Sequence, residues 1–146
     1  EGDESDGTLA LYHPKHAIVL NVEEEHLDHY TRGIAQIREV FNNLLNQTSG
    51  SIFYCCECEE ATQLCGTRDN SISYGWKEAD WTATDLSGQI GTVSFTVNYK
   101  GQELGRVQLG IPGLHNVLNA LGAIAVASSK RNESVSQIAI KFIPSI

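Results

Sequence analysis

The chain lacks any long apolar run. Nowhere in its 146 residues do the roughly eighteen uninterrupted apolar residues of a membrane span occur together, so no such span is expected. Positive charge is scarce. Ten Lys and Arg face 18 Asp and Glu, for a net charge of -8. Non-specific nucleic-acid binding needs a basic face, so nucleic acid is not an expected partner. The chain opens Glu-Gly-Asp-Glu rather than with a basic stretch and an apolar one, so no secretory signal is expected. Internal repeats and low-complexity tracts are missing as well. A zinc site is half missing: Cys55 and Cys58 have CxxC spacing, but only Cys65 follows, and no histidine lies between residues 30 and 114. Cys55 and Cys56 close the apolar run 51–54, where adjacent side chains point to opposite faces of a strand. The four thiols therefore read as the reduced cysteines of a cytoplasmic protein.

What is present is enough for a core, since 41% of residues are apolar, and the length is that of one domain or part of one. The negative charge is gathered at one end. Residues 1–30 hold eight Asp or Glu against the single Lys15. Such a patch is either solvated surface or a holder of cations.

The apolar run 17–22 has the continuous form of a strand covered on both faces. Residues 31–46 place Ile34, Ile37, Phe41, Leu44 and Leu45 at helical spacing, and Gly50 closes that helix. A strand over 51–56, a weaker helix over 57–64 stopped near Gly66, and a strand over 72–75 follow. This alternation predicts a right-handed parallel α/β layer. From Trp81 to Ile111 the period becomes two. Val93, Phe95, Val97 and Tyr99 share one face, Val107, Leu109 and Ile111 another, and Ser87-Gly88 and Lys100-Gly101 occupy turn positions. The expectation is a small antiparallel side sheet. Residues 116–129 are apolar nearly all round and rich in small side chains, as in a buried, closely packed helix. A last helix is expected from Ser134, with a capping box to Gln137, until Pro144 stops it.

Two stretches carry candidate chemistry. In an open α/β sheet ligands bind beyond the carboxyl ends of the strands. His26 falls four residues past Val22, in that region. With Glu1 at the end of a neighbouring strand, the two would share a Mg²⁺, although imidazole is a less usual ligand for that ion. Asp3, Ser5 and Asp6 serve equally well as turn and capping residues. His13 and His16 flank Pro14 and read as solvated loop residues, and His29 fits either a site or a helix start. In the second stretch, His115, Asn116 and Asn119 open the buried helix. Asn116 and Asn119 are three apart and share a face. Their amides both donate and accept, which suits an adenine edge, while Asn116 suits a helix cap as well.

Taken together, three strings resemble the central domain of the Mur ligase family. Residues 1–8 read Glu-Gly-Asp-Glu-Ser-Asp-Gly-Thr against the family's Glu-Ala-Asp-Glu-Ser-Asp-Gly/Ala-Ser/Thr. Residues 20–30 follow Thr-Asn-Ile/Val-Glu-x-Asp-His-x-Asp-x-Tyr, with Leu20 and Glu25 as departures. Residues 112–120 match Pro-Gly-x-His-Asn-x-x-Asn-Ala throughout. The likeness covers almost the whole chain and includes the Tyr74-Gly75 step. Its Asp-Glu-Ser-Asp string is that of the alanine-adding branch; the branch that recycles murein tripeptide tends to have Tyr where Ser5 stands.

The resemblance implies an ATP-dependent ligation of L-alanine to UDP-N-acetylmuramate through an acyl phosphate, in peptidoglycan synthesis. It implies one Mg²⁺ held by Glu1, with His26 holding a second or touching the transferring phosphate. Asn116 and Asn119 would hold adenine, and His115 would line the nucleotide or sugar side. It further implies a three-layer α/β fold with a mostly parallel sheet. That fold would be incomplete. No Gly-Lys pair of a phosphate loop occurs, so residues 1–146 read as a partial central domain without the P-loop strand and helix. The N-terminal UDP-binding domain and the C-terminal domain are not expected within it, and the Gly-x-x-Arg-Arg boundary is not found. A segment of this kind is expected to be inactive alone and poorly stable or self-associating. A non-catalytic copy that keeps the fold, another Mur-type ligase such as the murein-tripeptide-recycling one, and a metal module around Cys55–Cys65 are the other readings.

Overall fold

The computed structural model describes residues 7–23 and 30–130. A short 3₁₀ turn (Thr8–Leu11) leads into β1 (Ala17–Val19), α1 (Ile34–Asn46), β2 (Ile52–Cys55), α2 (Glu59–Cys65) and β3 (Ser71–Gly75). Three longer strands follow, β4 (Trp81–Gln89), β5 (Thr92–Tyr99) and β6 (Gln102–Leu109), and then α3 (Leu114–Lys130). The six strands form one sheet in chain order. β1 to β4 pair in parallel, and β4–β5 and β5–β6 pair antiparallel.

The sheet is the middle of three layers, and the alternation along β2 shows why. Ile52 and Tyr54 face α1 and α2, packing with Ile37, Phe41, Leu45, Leu64 and Cys65. Phe53 and Cys55 face α3, packing with Tyr74, Val117, Leu121 and Ile124. A strand covered on both faces must be apolar at every position, as this one is. The small residues of α3 let it settle onto the sheet. A Cβ on Gly122 would stand 2.9 Å from both the Ile18 Cδ1 and the Tyr74 ring.

The α/β class and its helices are as the sequence predicts. β1 is shorter than the apolar run 17–22, because its ladder with β2 ends at Val19, and α3 begins at Leu114, ahead of Asn116. The helix expected from Ser134 lies outside the described residues. The antiparallel strands are not a separate sheet, because β4 pairs with β3 through Tyr74–Trp81 and Gly75–Thr82. Parallel neighbours usually need a crossover of a dozen residues. Here the pairing is brief and β4 starts where β3 ends, so a short loop suffices. The Asp80 carboxylate closes that loop by accepting the Ser73 N–H at 3.0 Å and hydroxyl at 3.1 Å.

One turn falls elsewhere than expected. Ser87 and Gly88 lie within β4, and the hairpin reverses at Ile90 and Gly91. A bulge between Thr84 and Ser87, with Asp85 at φ 50°, carries the strand onward. Gly88 answers to a close approach instead, since a Cβ there would stand 2.6 Å from the Thr92 carbonyl. The Lys100–Gly101 turn is where the sequence puts it.

Candidate functional site at the carboxyl edge of the sheet

β6 runs parallel to β4, through two antiparallel pairings, and hence parallel to β1–β3. Its carboxyl end points the same way as theirs, and Leu109, level with Val93 and Gly88, stands beyond the end of β3, where the chain turns into α3. Because β4 pairs only with the last residues of β3, the β4–β6 ribbon projects beyond their carboxyl edge and walls it on one side. This is where an open α/β sheet binds its ligand.

On α3, Asn116 is half-buried, and His115 and Asn119 are exposed. The Asn116 Nδ2 donates to the Pro112 carbonyl at 2.7 Å. Its amide therefore does not cap the helix, and the bond decides which end of the amide looks outward: one N–H and the Oδ1 remain for a partner. Gly113, at φ 112°, makes room; a Cβ there would stand 2.8 Å from the His115 ring. His115, Asn116 and Asn119 are thus brought together on one helix start. Glu1 and His26, the expected metal ligands, lie outside the described residues, as do His29 and most of the acidic patch. Among the described residues no group of three or more His, Cys, Asp or Glu is placed to hold a metal ion.

The sequence did not single out a second feature of this edge. Cys56, Glu57, Trp76, Lys77 and Glu78 line an open cleft of about 460 Å³ past the ends of β2 and β3. The Glu57 carboxylate accepts the Trp76 N–H at 2.7 Å and so joins the β2–α2 turn to the β3–β4 loop. Gly75 suits this close approach, since a Cβ there would displace the Cys56 Sγ and the Glu57 carboxylate. The Tyr-Gly step was the available signal. Burial pushes the Cys56 thiol up to about 11, helped by the negative charge of Glu57. Cys55 and Cys56 diverge as a strand requires, Cys55 into the core under α3 and Cys56 toward Lys77. His16 is no solvated loop residue: it is half-buried, and its Nδ1 accepts the Ser51 N–H at 3.1 Å where β2 begins.

Residues 3–127 match the family described as Mur ligase middle domain. The chain belongs to that family. This Mur ligase middle domain is 40% identical over 131 residues to the UDP-N-acetylmuramate–L-alanine ligase of Geobacter sulfurreducens, covering 87% of the chain and 28% of that relative. Its fold resembles the UDP-N-acetylmuramate–alanine ligase of Thermotoga maritima with a TM-score of 0.76 at 27% identity, covering 88% of the chain and 28% of that structure. The MurF ligase of Thermotoga maritima in complex with ADP, 16% identical, shares the fold with a TM-score of 0.68 over 94% of the chain and 33% of its own. The chain thus spans little more than a quarter of the length of the alanine-adding relatives it matches. No helix among the described residues is long and apolar enough to cross a membrane.

Proposed function

We propose that this Mur ligase middle domain is the ATP-binding part of a cytoplasmic ligase that joins L-alanine to UDP-N-acetylmuramate in peptidoglycan synthesis. The observation that carries the reading is its 40% identity to an alanine-adding ligase across 87% of the chain. Binding of the UDP-sugar and of alanine falls in this reading to the N-terminal and C-terminal domains of the whole enzyme, outside these 146 residues.

Asn116 and Asn119 take the adenine. With its Nδ2 committed to Pro112, Asn116 offers an Oδ1 that accepts from an exocyclic amine and an N–H that donates to a ring nitrogen, the pattern of the adenine edge. Asn119 extends the same helix face, and His115 borders it. Glu1 and His26 are the proposed holders of Mg²⁺, which when bound neutralises phosphate charge as the sugar carboxylate is phosphorylated. The chain's own share is to orient the base and to wall the carboxyl edge. With no Gly-Lys pair in the sequence, the 146 residues alone are expected to turn over no ATP.

The test is titration of Mg²⁺-ATP into the whole ligase carrying this domain, beside its Asn119→Ala variant. Loss of one hydrogen-bonding amide should weaken binding about tenfold. Equal affinity in the two proteins would remove Asn119 from the adenine site. A whole enzyme that forms no alanine adduct would overturn the ligase reading itself.

A further inference from the structure

Cys58 stands just before α2, at the turn where β2 gives way to that helix. Its thiol is half-buried against the core between α1, α2 and the sheet. The Val22 N–H donates to its Sγ at 3.4 Å, and the thiol in turn donates to the Val22 carbonyl at 3.8 Å. Val22 lies past the end of β1, whose ladder stops at Val19, so it has no strand partner among the described residues. It is nonetheless only 4% exposed. A buried peptide group without partners carries a full desolvation penalty. One sulfur, acting as both acceptor and donor, relieves it on both sides.

The other thiols are placed elsewhere. Cys55 packs on the opposite face of the sheet beneath α3, Cys56 turns toward Gly75 and Lys77, and Cys65 is fully buried two turns along α2. We propose that Cys58 is a positioning residue of the ligand edge: its thiol ties the chain leaving β1 to the start of α2 at Val22. This fixes one side of the region where an open sheet binds its ligand relative to the side built by β2 and α2. The catalytic arm of the proposal rests on the ligase function above. The tie itself does not.

The experiment uses the whole ligase, as wild type and as Cys58→Ala, Cys58→Ser and Cys65→Ala. Cys65→Ala loosens the same core but leaves both Cys58 hydrogen bonds to Val22 in place. Cys58→Ala should raise amide exchange at Val22 about tenfold or more and leave β2 and β3 protected as before. It should lower kcat about tenfold, since displacements near 1 Å at a site cost up to about a hundredfold, with the KM for alanine unchanged. Cys58→Ser, whose hydroxyl both donates and accepts, should restore most of each effect and serves if the alanine variant does not fold. The proposal is wrong if Val22 exchanges as in the wild type, if it loosens while kcat stays constant, or if Cys65→Ala reproduces both changes. An inactive wild type would sink the ligase reading, and exchange at Val22 would then decide the tie alone.

Discussion

At the scale of single residues, burial decides what the sequence leaves open. Cys65 could have been a metal ligand by its type, but it lies fully inside the core between α1 and α2. Burial pushes its thiol up from 9.0 to about 11. Below about pH 9 both the folded and unfolded chains keep the proton, and the full stability is present. Between about 9 and about 11 only the unfolded chain releases it, so the unfolded state binds fewer protons and stability falls as pH rises. Cys65 should contribute about 2 kcal/mol to that fall. Urea unfolding of wild type and Cys65→Val from about pH 8 to about pH 11 checks this. The wild type should weaken more steeply, and parallel curves would refute the assignment. Asn116 makes the same point for hydrogen bonding. Its residue type fitted a helix cap and an adenine edge equally, and the bond to Pro112 rejects the cap.

At the scale of elements, backbone conformation separates two turn signals that look alike in sequence. Lys100 and Gly101 both adopt left-handed conformations, at φ 49° and 80°, as a two-residue hairpin turn with the twist of its strands requires. Nothing lies within 4 Å of a Cβ placed on Gly101. Gly101→Ala should therefore cost about 1 kcal/mol through backbone strain alone, and Lys100→Asn should gain a few tenths. Denaturant midpoints of the two variants measure this. A neutral Gly101→Ala would show that the turn adopts another form. Ser87-Gly88 carried a similar signal, yet the bulge at Asp85 keeps that stretch in β4. A one-residue irregularity displaced the reversal to Gly91, and only the pairing of β4 with β5 reveals it.

At the scale of the whole molecule, β1 lies at one edge of the sheet among the described residues. Ile18 in it and Leu20 just past its end are 40% and 45% exposed. An apolar edge strand with unpaired backbone groups is a template for another strand. The 146-residue chain should thus self-associate with rising concentration, and Leu20→Lys should suppress this. Sedimentation velocity distinguishes the cases, and a wild-type chain that stays monomeric throughout would contradict the edge argument. The opposite edge strand, β6, carries the exposed charges Glu103 and Arg106, which blunt such an edge.

The amino-acid sequence by itself determined what depends on local periodicity and composition. The apolar run of β2, covered on both faces, the amphipathic α1, the small-residue α3 and the Lys100–Gly101 hairpin were legible from local pattern, whereas the run of β1, expected to be covered on both faces, leaves Ile18 and Leu20 exposed because β1 is an edge strand among the described residues. The shared face of Asn116 and Asn119 was legible too, since two side chains about one helical turn apart need no distant partner to share it. Tertiary structure alone decided the contacts between segments far apart in the chain. The joining of β3 to β4, which makes one sheet of two expected ones, depends on Asp80 reaching Ser73. The Glu57–Trp76 clip and the Cys58–Val22 tie pair backbone with side chain across 19 and 36 residues. No local pattern encodes such pairs, because they exist only once parallel strands bring the ends of β1, β2 and β3 to one edge.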